Sequence, residues 1–342
     1  MAQEGTDSPS PVPTRTGLGA VVEAMRIPHW VKNSFVAAPI LFSGLFRSPQ
    51  AWAPCLSAVL AFCLLSSAVY LINDVADRQS DRAHPSKKNR PVASGRLSTA
   101  GALCAAGILL VIGIGIAVTI EVLTNAGFLR TGAASQPEIA PHPMGGMELV
   151  IWTLAFLALN LLYSFWLKTR AIIDVIVVAM GFVLRAMAGA AAISVPTSPW
   201  LVVCTFTLCL FIALTKRRSE LLALPDGQAK ATRGANWGYD LPSLELMLAV
   251  STAMAILAYC LYCLAPSTVA RMGSAHIVWT IPLVVYGIFR FNRNTRIWST
   301  ADPVAVLVRD RIMWIVVALY AVLVVLIRLY GPLPAIKAVL HV

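Results

Sequence analysis

Nine apolar stretches constrain this chain more than any single motif: near 31–47, 51–72, 99–122, 149–167, 171–194, 199–215, 243–264, 276–291 and 311–330. Crossing a hydrocarbon layer of about 30 Å takes roughly 20 helical residues, close to the length of these runs. The expected fold is therefore an all-α polytopic membrane protein, a bundle of about nine transmembrane helices. A composition of 58% hydrophobic and 13% charged residues, with a mean hydropathy of +0.74, excludes an ordinary soluble domain.

Lys and Arg in the short loops set orientation. Placing the N-terminus inside and letting each span cross once gathers 21 of the 27 basic residues on the cytoplasmic side of the cell membrane. The net charge of +11 thus describes one membrane face, suited to anionic lipid or an anionic substrate rather than nucleic acid. Residues 1–20 are rich in Pro, Ser, Thr and Gly and lack an apolar signal segment, so they read as a disordered tail ahead of one catalytic domain at 21–342. Within that domain, 123–148 is rich in Gly, Pro and Ala and reads as a flexible extracytoplasmic loop. All seven cysteines lie in apolar segments, where a small buried thiol needs no metal or redox role.

The inside loops carry the charge. After the second run come Asn73-Asp74-Val75-Ala76-Asp77-Arg78-Gln79-Ser80-Asp81 and then Lys87-Lys88-Asn89-Arg90. Asn73, Asp77 and Asp81 recur every four residues, so on a helix they drift about 40° per step and share a face. Anions at the end of a spanning helix meet an unfavourable macrodipole, so they call for a cation. Hard oxygen ligands suit Mg2+, which commonly bridges carboxylates to substrate phosphates, and the adjacent basic run is able to neutralise such phosphates.

A second constellation, Lys216-Arg217-Arg218-Ser219-Glu220, begins where the sixth run ends and is followed by Arg233 and Tyr239-Asp240. Lys216 and Glu220 stand at i and i+4, which also describes a plain surface ion pair. The functional reading is a second phosphate-binding wall. Arg185, inside the fifth run, is expensive in lipid and marks an intramembrane site, with an ion pair to Asp174 as the alternative.

With these residues in hand, the chain resembles the UbiA superfamily of intramembrane prenyltransferases, whose first Asp-rich motif, NDxxDxxxD, stands intact as Asn73 through Asp81. That superfamily usually has a second acidic motif after the sixth helix, where this chain has Lys216 to Glu220. The departure is similar to the decaprenyl-phosphate phosphoribosyltransferase branch, as are Met25 to Asn33, Tyr163 to Lys168, Asp174, Leu184-Arg185-Ala186 and Tyr286 to Arg290.

The resemblance implies transfer of 5-phosphoribose from 5-phosphoribosyl 1-diphosphate to a polyprenyl phosphate, feeding arabinan for a cell wall. It implies Mg2+ and diphosphate on Asn73, Asp74, Asp77 and Asp81, with phosphates clamped by Lys87, Arg90, Lys216 and Arg217. Glu220 would orient a ribose hydroxyl or a cation ligand, Tyr239 would line the same substrate site, and Lys32 and Arg185 would meet the acceptor phosphate. An aromatic prenyltransferase of quinone or haem pathways is the alternative; a transporter or lipid-binding protein without chemistry is the alternative of another class. Homo-oligomerisation stays open.

Overall fold

The computed structural model describes residues 17–83, 87–129, 146–222, 238–298 and 303–330, and among them helices form and strands do not. The helices are α1 (Leu18–Ala24), α2 (Ala38–Phe42), α3 (Pro49–Ala76), α4 (Arg78–Ala83), α5 (Thr99–Asn125), α6 (Glu148–Phe165) and α7 (Ile173–Ala192). They continue as α8 (Pro199–Leu222), α9 (Leu241–Leu264), α10 (Pro266–Met272), α11 (Ile281–Ile297), α12 (Pro303–Arg309) and α13 (Arg311–Tyr330). Seven of these, α3, α5, α6, α7, α8, α9 and α13, are long and apolar enough to cross a membrane.

Two of the nine expected runs take another form. The run at 31–47 is broken into a 3-10 helix at Ile27–Val36, the short α2 and a 3-10 turn at Leu45–Arg47. Pro39 opens α2, and Gly44 adopts φ +78°, so proline and a left-handed glycine break what hydropathy reads as continuous. The run at 276–291 is likewise a 3-10 helix, Ala275–Thr280, followed by α11, which restarts with Pro282 in its first turn. Of the stretch read as a tail, Leu18 onward is helical in α1, and 1–16 lie outside the described residues, as do 130–145 of the loop read at 123–148.

The chain forms two compact units, one of Met1–Trp30 with Cys63–Ile112 and one of Val31–Phe62 with Gly113–Val342. In the first, Ala20 and Ala24 of α1 are buried with Ala68 and Leu71 of α3, Ala102 and Ala106 of α5, and Val92 and Leu97. Small side chains let these helices approach closely, which drives packing where lipid offers no hydrophobic gain. Trp30 Nε1 donates to Ser67 Oγ at 3.0 Å, and that hydroxyl donates to the Met25 carbonyl at 3.0 Å, fixing the exit of α1.

The second unit has its main core among Phe211 and Leu214 of α8, Leu244 and Leu248 of α9, Ile288 and Phe291 of α11, and Met313 of α13. The opposite side of α13 exposes Trp314, Ile315, Val317 and Val322, as a lipid-facing helix does. Gly189 of α7 lies against the Val36 carbonyl so tightly that a Cβ there would come within 1.8 Å of the oxygen. This contact seats the first 3-10 segment on α7.

Candidate functional site

Asn73 to Asp81 is almost continuous helix. Asp77 is the single residue between α3 and α4, yet its amide bonds the Asn73 carbonyl at 2.8 Å and the Asp81 amide bonds the Asp77 carbonyl at 2.8 Å. The four-residue spacing therefore keeps its helical register, as expected. Asp74 and Asp81 are buried, at 1% and 3% exposure, and Asn73 and Asp77 are half-buried.

Two buried carboxylates, Asp74 in the last turn of the spanning α3 and Asp81 in α4, need counter-charge, and arginines supply it. Arg90 Nη1 donates to Asp81 Oδ2 at 2.8 Å and to Asp74 Oδ1 at 3.3 Å. Asp74 Oδ1 also accepts from Arg26, whose guanidinium carbon lies 4.9 Å from the centre of the Tyr70 ring. Arg26 has φ +54°, a conformation uncommon for a side chain of this size.

The turn bearing Arg90 is itself pinned. Arg82 Nε donates to the Ala93 carbonyl at 2.8 Å, and Arg96 bonds the Asn89 carbonyl at 2.6 Å and both Glu23 carboxylate oxygens at 2.7 Å. Lys87 stands exposed on that turn. This first unit thus brings together Asp74, Asp81 and Arg90 from the sequence reading and adds Arg26, which charge at the motif alone did not single out.

The donor set suits a hard divalent ion, since the motif offers carboxylate and amide oxygens. Among the described residues no three His, Cys, Asp or Glu side chains converge into a ready-made cage.

The second unit holds another cluster, where Asp174, in the first turn of α7, is fully buried. Its Oδ2 accepts from Arg217 Nε at 2.6 Å and its Oδ1 from the Tyr239 hydroxyl at 2.8 Å. Arg217 also donates from Nη1 to Glu220 at 2.5 Å and from Nη2 to the Tyr163 hydroxyl at 3.3 Å. Lys216 Nζ lies 3.6 Å from the other Glu220 oxygen, so the i, i+4 pair is real and is part of a larger network. The Tyr239 hydroxyl accepts from the Ile172 amide at 2.6 Å, steadying a β-branched residue at φ +70°. Burial, with the hydrogen bond to Asp174, pushes that hydroxyl above the usual tyrosine range, so it stays a donor.

Lys216, Arg217, Glu220 and Tyr239 are therefore brought together, by an aspartate and a tyrosine that hydropathy alone leaves unmarked. Arg218 is fully buried and turns to α11, donating to Thr295 Oγ1 at 3.0 Å and the Asn292 carbonyl at 3.3 Å. Arg233 lies outside the described residues.

Arg185 does not pair with Asp174. Its guanidinium carbon lies 4.5 Å from the Phe156 ring centre and 5.1 Å from that of Phe182, a cation–π pairing on two faces. Its Nε donates to Asn33 Oδ1 at 2.8 Å and its Nη1 to the Gly181 carbonyl at 3.0 Å. Arg185 lies about three helical turns beyond Asp174 on α7, out of reach of the acid, which pairs instead with Arg217 of α8. Lys32, half-buried, precedes Asn33 on the same 3-10 segment.

The UbiA prenyltransferase family model matches residues 36–137. The decaprenyl-phosphate phosphoribosyltransferase of Mycobacterium tuberculosis is 28% identical over 300 residues, covering 86% of this chain and 90% of that one. Its namesake in Mycolicibacterium smegmatis is 27% identical over 326 residues, covering 92% and 93%. A UbiA homolog from Archaeoglobus fulgidus, bound to GPP and Mg2+, shares the fold with a TM-score of 0.62 at 15% identity, over 90% of this chain and 99% of that one.

Proposed function

We propose that this UbiA-type membrane transferase moves 5-phosphoribose from 5-phosphoribosyl 1-diphosphate to a polyprenyl phosphate at the cytoplasmic face of the cell membrane. The observation that carries the reading is the end of α8, where Lys216-Arg217-Arg218-Ser219-Glu220 replaces the second acidic motif of a prenyl diphosphate site. A ribosyl donor has a diphosphate and a separate 5-phosphate, so it calls for one acidic site for a metal ion and for further cations elsewhere. The names of the mycobacterial relatives point the same way.

Asn73, Asp74, Asp77 and Asp81 would hold Mg2+, and an ion there would supply charge neutralisation for the departing diphosphate. Arg90 and Lys87 bind phosphate oxygens beside that motif, and Lys216 and Arg217 bind phosphate at the second cluster. Glu220 and Tyr239 orient ribose hydroxyls. Lys32 meets the acceptor phosphate, and Arg185 holds the segment that carries it through Asn33.

A phosphate oxygen of the lipid forms a bond to ribose C1 as the bond from C1 to the diphosphate oxygen breaks. The diphosphate leaves with the bonding pair. Because the attacking oxygen is already anionic, no strong general base is required, and fixed charges stabilise the oxocarbenium-like transition state. The lipid product would then supply arabinan synthesis for a cell wall.

Asp77→Asn tests the assignment, because this half-buried position can lose a charge without emptying a core. The variant is expected to keep its melting temperature and to lose Mg2+-dependent transfer of labelled phosphoribose to lipid. Near-normal turnover would sink the assignment.

A further inference from the structure

One nitrogen of Arg90 stands between two carboxylates of the Asp-rich motif. Its Nη1 is 2.8 Å from Asp81 Oδ2 and 3.3 Å from Asp74 Oδ1, the kind of bridging position that a divalent ion takes between two acids. Arg26 adds a second guanidinium on the same Asp74 oxygen. A bare divalent ion arriving at these acids meets two positive charges, and a bare diphosphate meets the acids themselves. An ion and a diphosphate arriving together satisfy both sets, because the acids pass to the ion and the released guanidinium passes to phosphate oxygens.

The geometry points to Arg90 as an internal surrogate for the metal ion, which leaves the space between Asp74 and Asp81 only when ion and diphosphate bind as a unit. Arg90 is the partner suited to exchange, because its Nη1 is shared between both acids from the turn at 87–90, whereas Arg26 meets Asp74 alone and is also stacked on Tyr70. The consequence is reciprocal coupling: diphosphate strengthens ion binding by the same factor as the ion strengthens diphosphate binding. The exchange rests on the reading that this motif holds Mg2+ and diphosphate, and it adds why neither binds well alone.

The full-length protein in nanodiscs is titrated with Mn2+, a paramagnetic substitute for Mg2+, and free ion is followed by electron paramagnetic resonance with and without inorganic diphosphate. Free-ion levels are corrected for ion–diphosphate complexes, and Asp81→Asn identifies binding at the motif. Wild-type protein is expected to bind Mn2+ at least about tenfold more tightly with diphosphate present, within the usual span of heterotropic coupling. Arg90→Gln is expected to bind Mn2+ alone at least about tenfold more tightly than wild type and to lose a comparable part of the coupling. Equal Mn2+ affinity in wild type with and without diphosphate overturns the proposal, as does a folded Arg90→Gln with unchanged affinity for the ion alone. If Arg90→Gln does not fold, the two wild-type titrations decide. No ribosyl donor enters the titration, so its result does not depend on transfer: coupled binding here, with no phosphoribose transfer in a separate assay with 5-phosphoribosyl 1-diphosphate, defeats the functional reading and leaves the exchange standing.

Discussion

Asp174 accepts from Arg217 Nε at 2.6 Å on one oxygen while its other oxygen accepts from Tyr239, so one fully buried acid ties α7 to α8 and to Tyr239, two residues ahead of α9. Removing one partner of a buried pair strands the other charge. Asp174→Ala is expected to lower stability by roughly 3–5 kcal/mol, read as a fall in melting temperature in detergent. Transfer by the folded fraction should fall as well, because Arg217 would keep only Glu220 and Tyr163.

The close approach at Gly189 gives a second expectation. A Cβ there would sit 1.8 Å from the Val36 carbonyl oxygen, which is backbone and cannot swing aside, whereas at Gly181 the nearest atom is Arg185 Nη1 at 3.6 Å. Gly189→Ala should therefore cost on the order of 1–3 kcal/mol or more through overpacking. Gly181→Ala on the same helix should be close to neutral, and thermal unfolding of the two variants side by side makes the comparison.

Asp310 gives a pH-dependent prediction. It accepts from Arg290 at 2.7 and 2.9 Å and caps the Ile312 amide at 3.0 Å, and the hydrogen bonds from Arg290 hold its carboxyl below the usual range. With the folded value depressed, its contribution is full above the unfolded value of about 3.9 and is lost as pH falls through the folded value. The melting temperature of wild type should therefore exceed that of Asp310→Asn at pH 6, and the gap should close as pH is lowered below about 4.

The Asp-rich motif was legible because its four-residue spacing survives the break at Asp77, and seven long helices were legible because hydropathy reports burial in lipid directly. The broken segment at 27–47 was not, since 3-10 turns and a left-handed Gly44 leave mean hydropathy unchanged. Arg26 and Asp174 entered only through the resemblance, Asp174 also as the alternative partner of Arg185, and their actual ion pairs were missed for a related reason. Each is a lone charge whose partner is distant in sequence, Arg26 with Asp74 and Asp174 with Arg217, and spacing rules see only neighbours. The guide that could have found them is electrostatic: a buried acid near a membrane boundary requires a cation.

The most direct measurement gives the purified protein, in membranes containing polyprenyl phosphate and Mg2+, either 5-phosphoribosyl 1-diphosphate labelled in the ribose or a labelled prenyl diphosphate with an aromatic acceptor. The account predicts label in extracted lipid from the ribosyl donor and no prenylated ring from the other. Prenylation of the aromatic acceptor without ribosyl transfer, or transfer from neither donor, would contradict it.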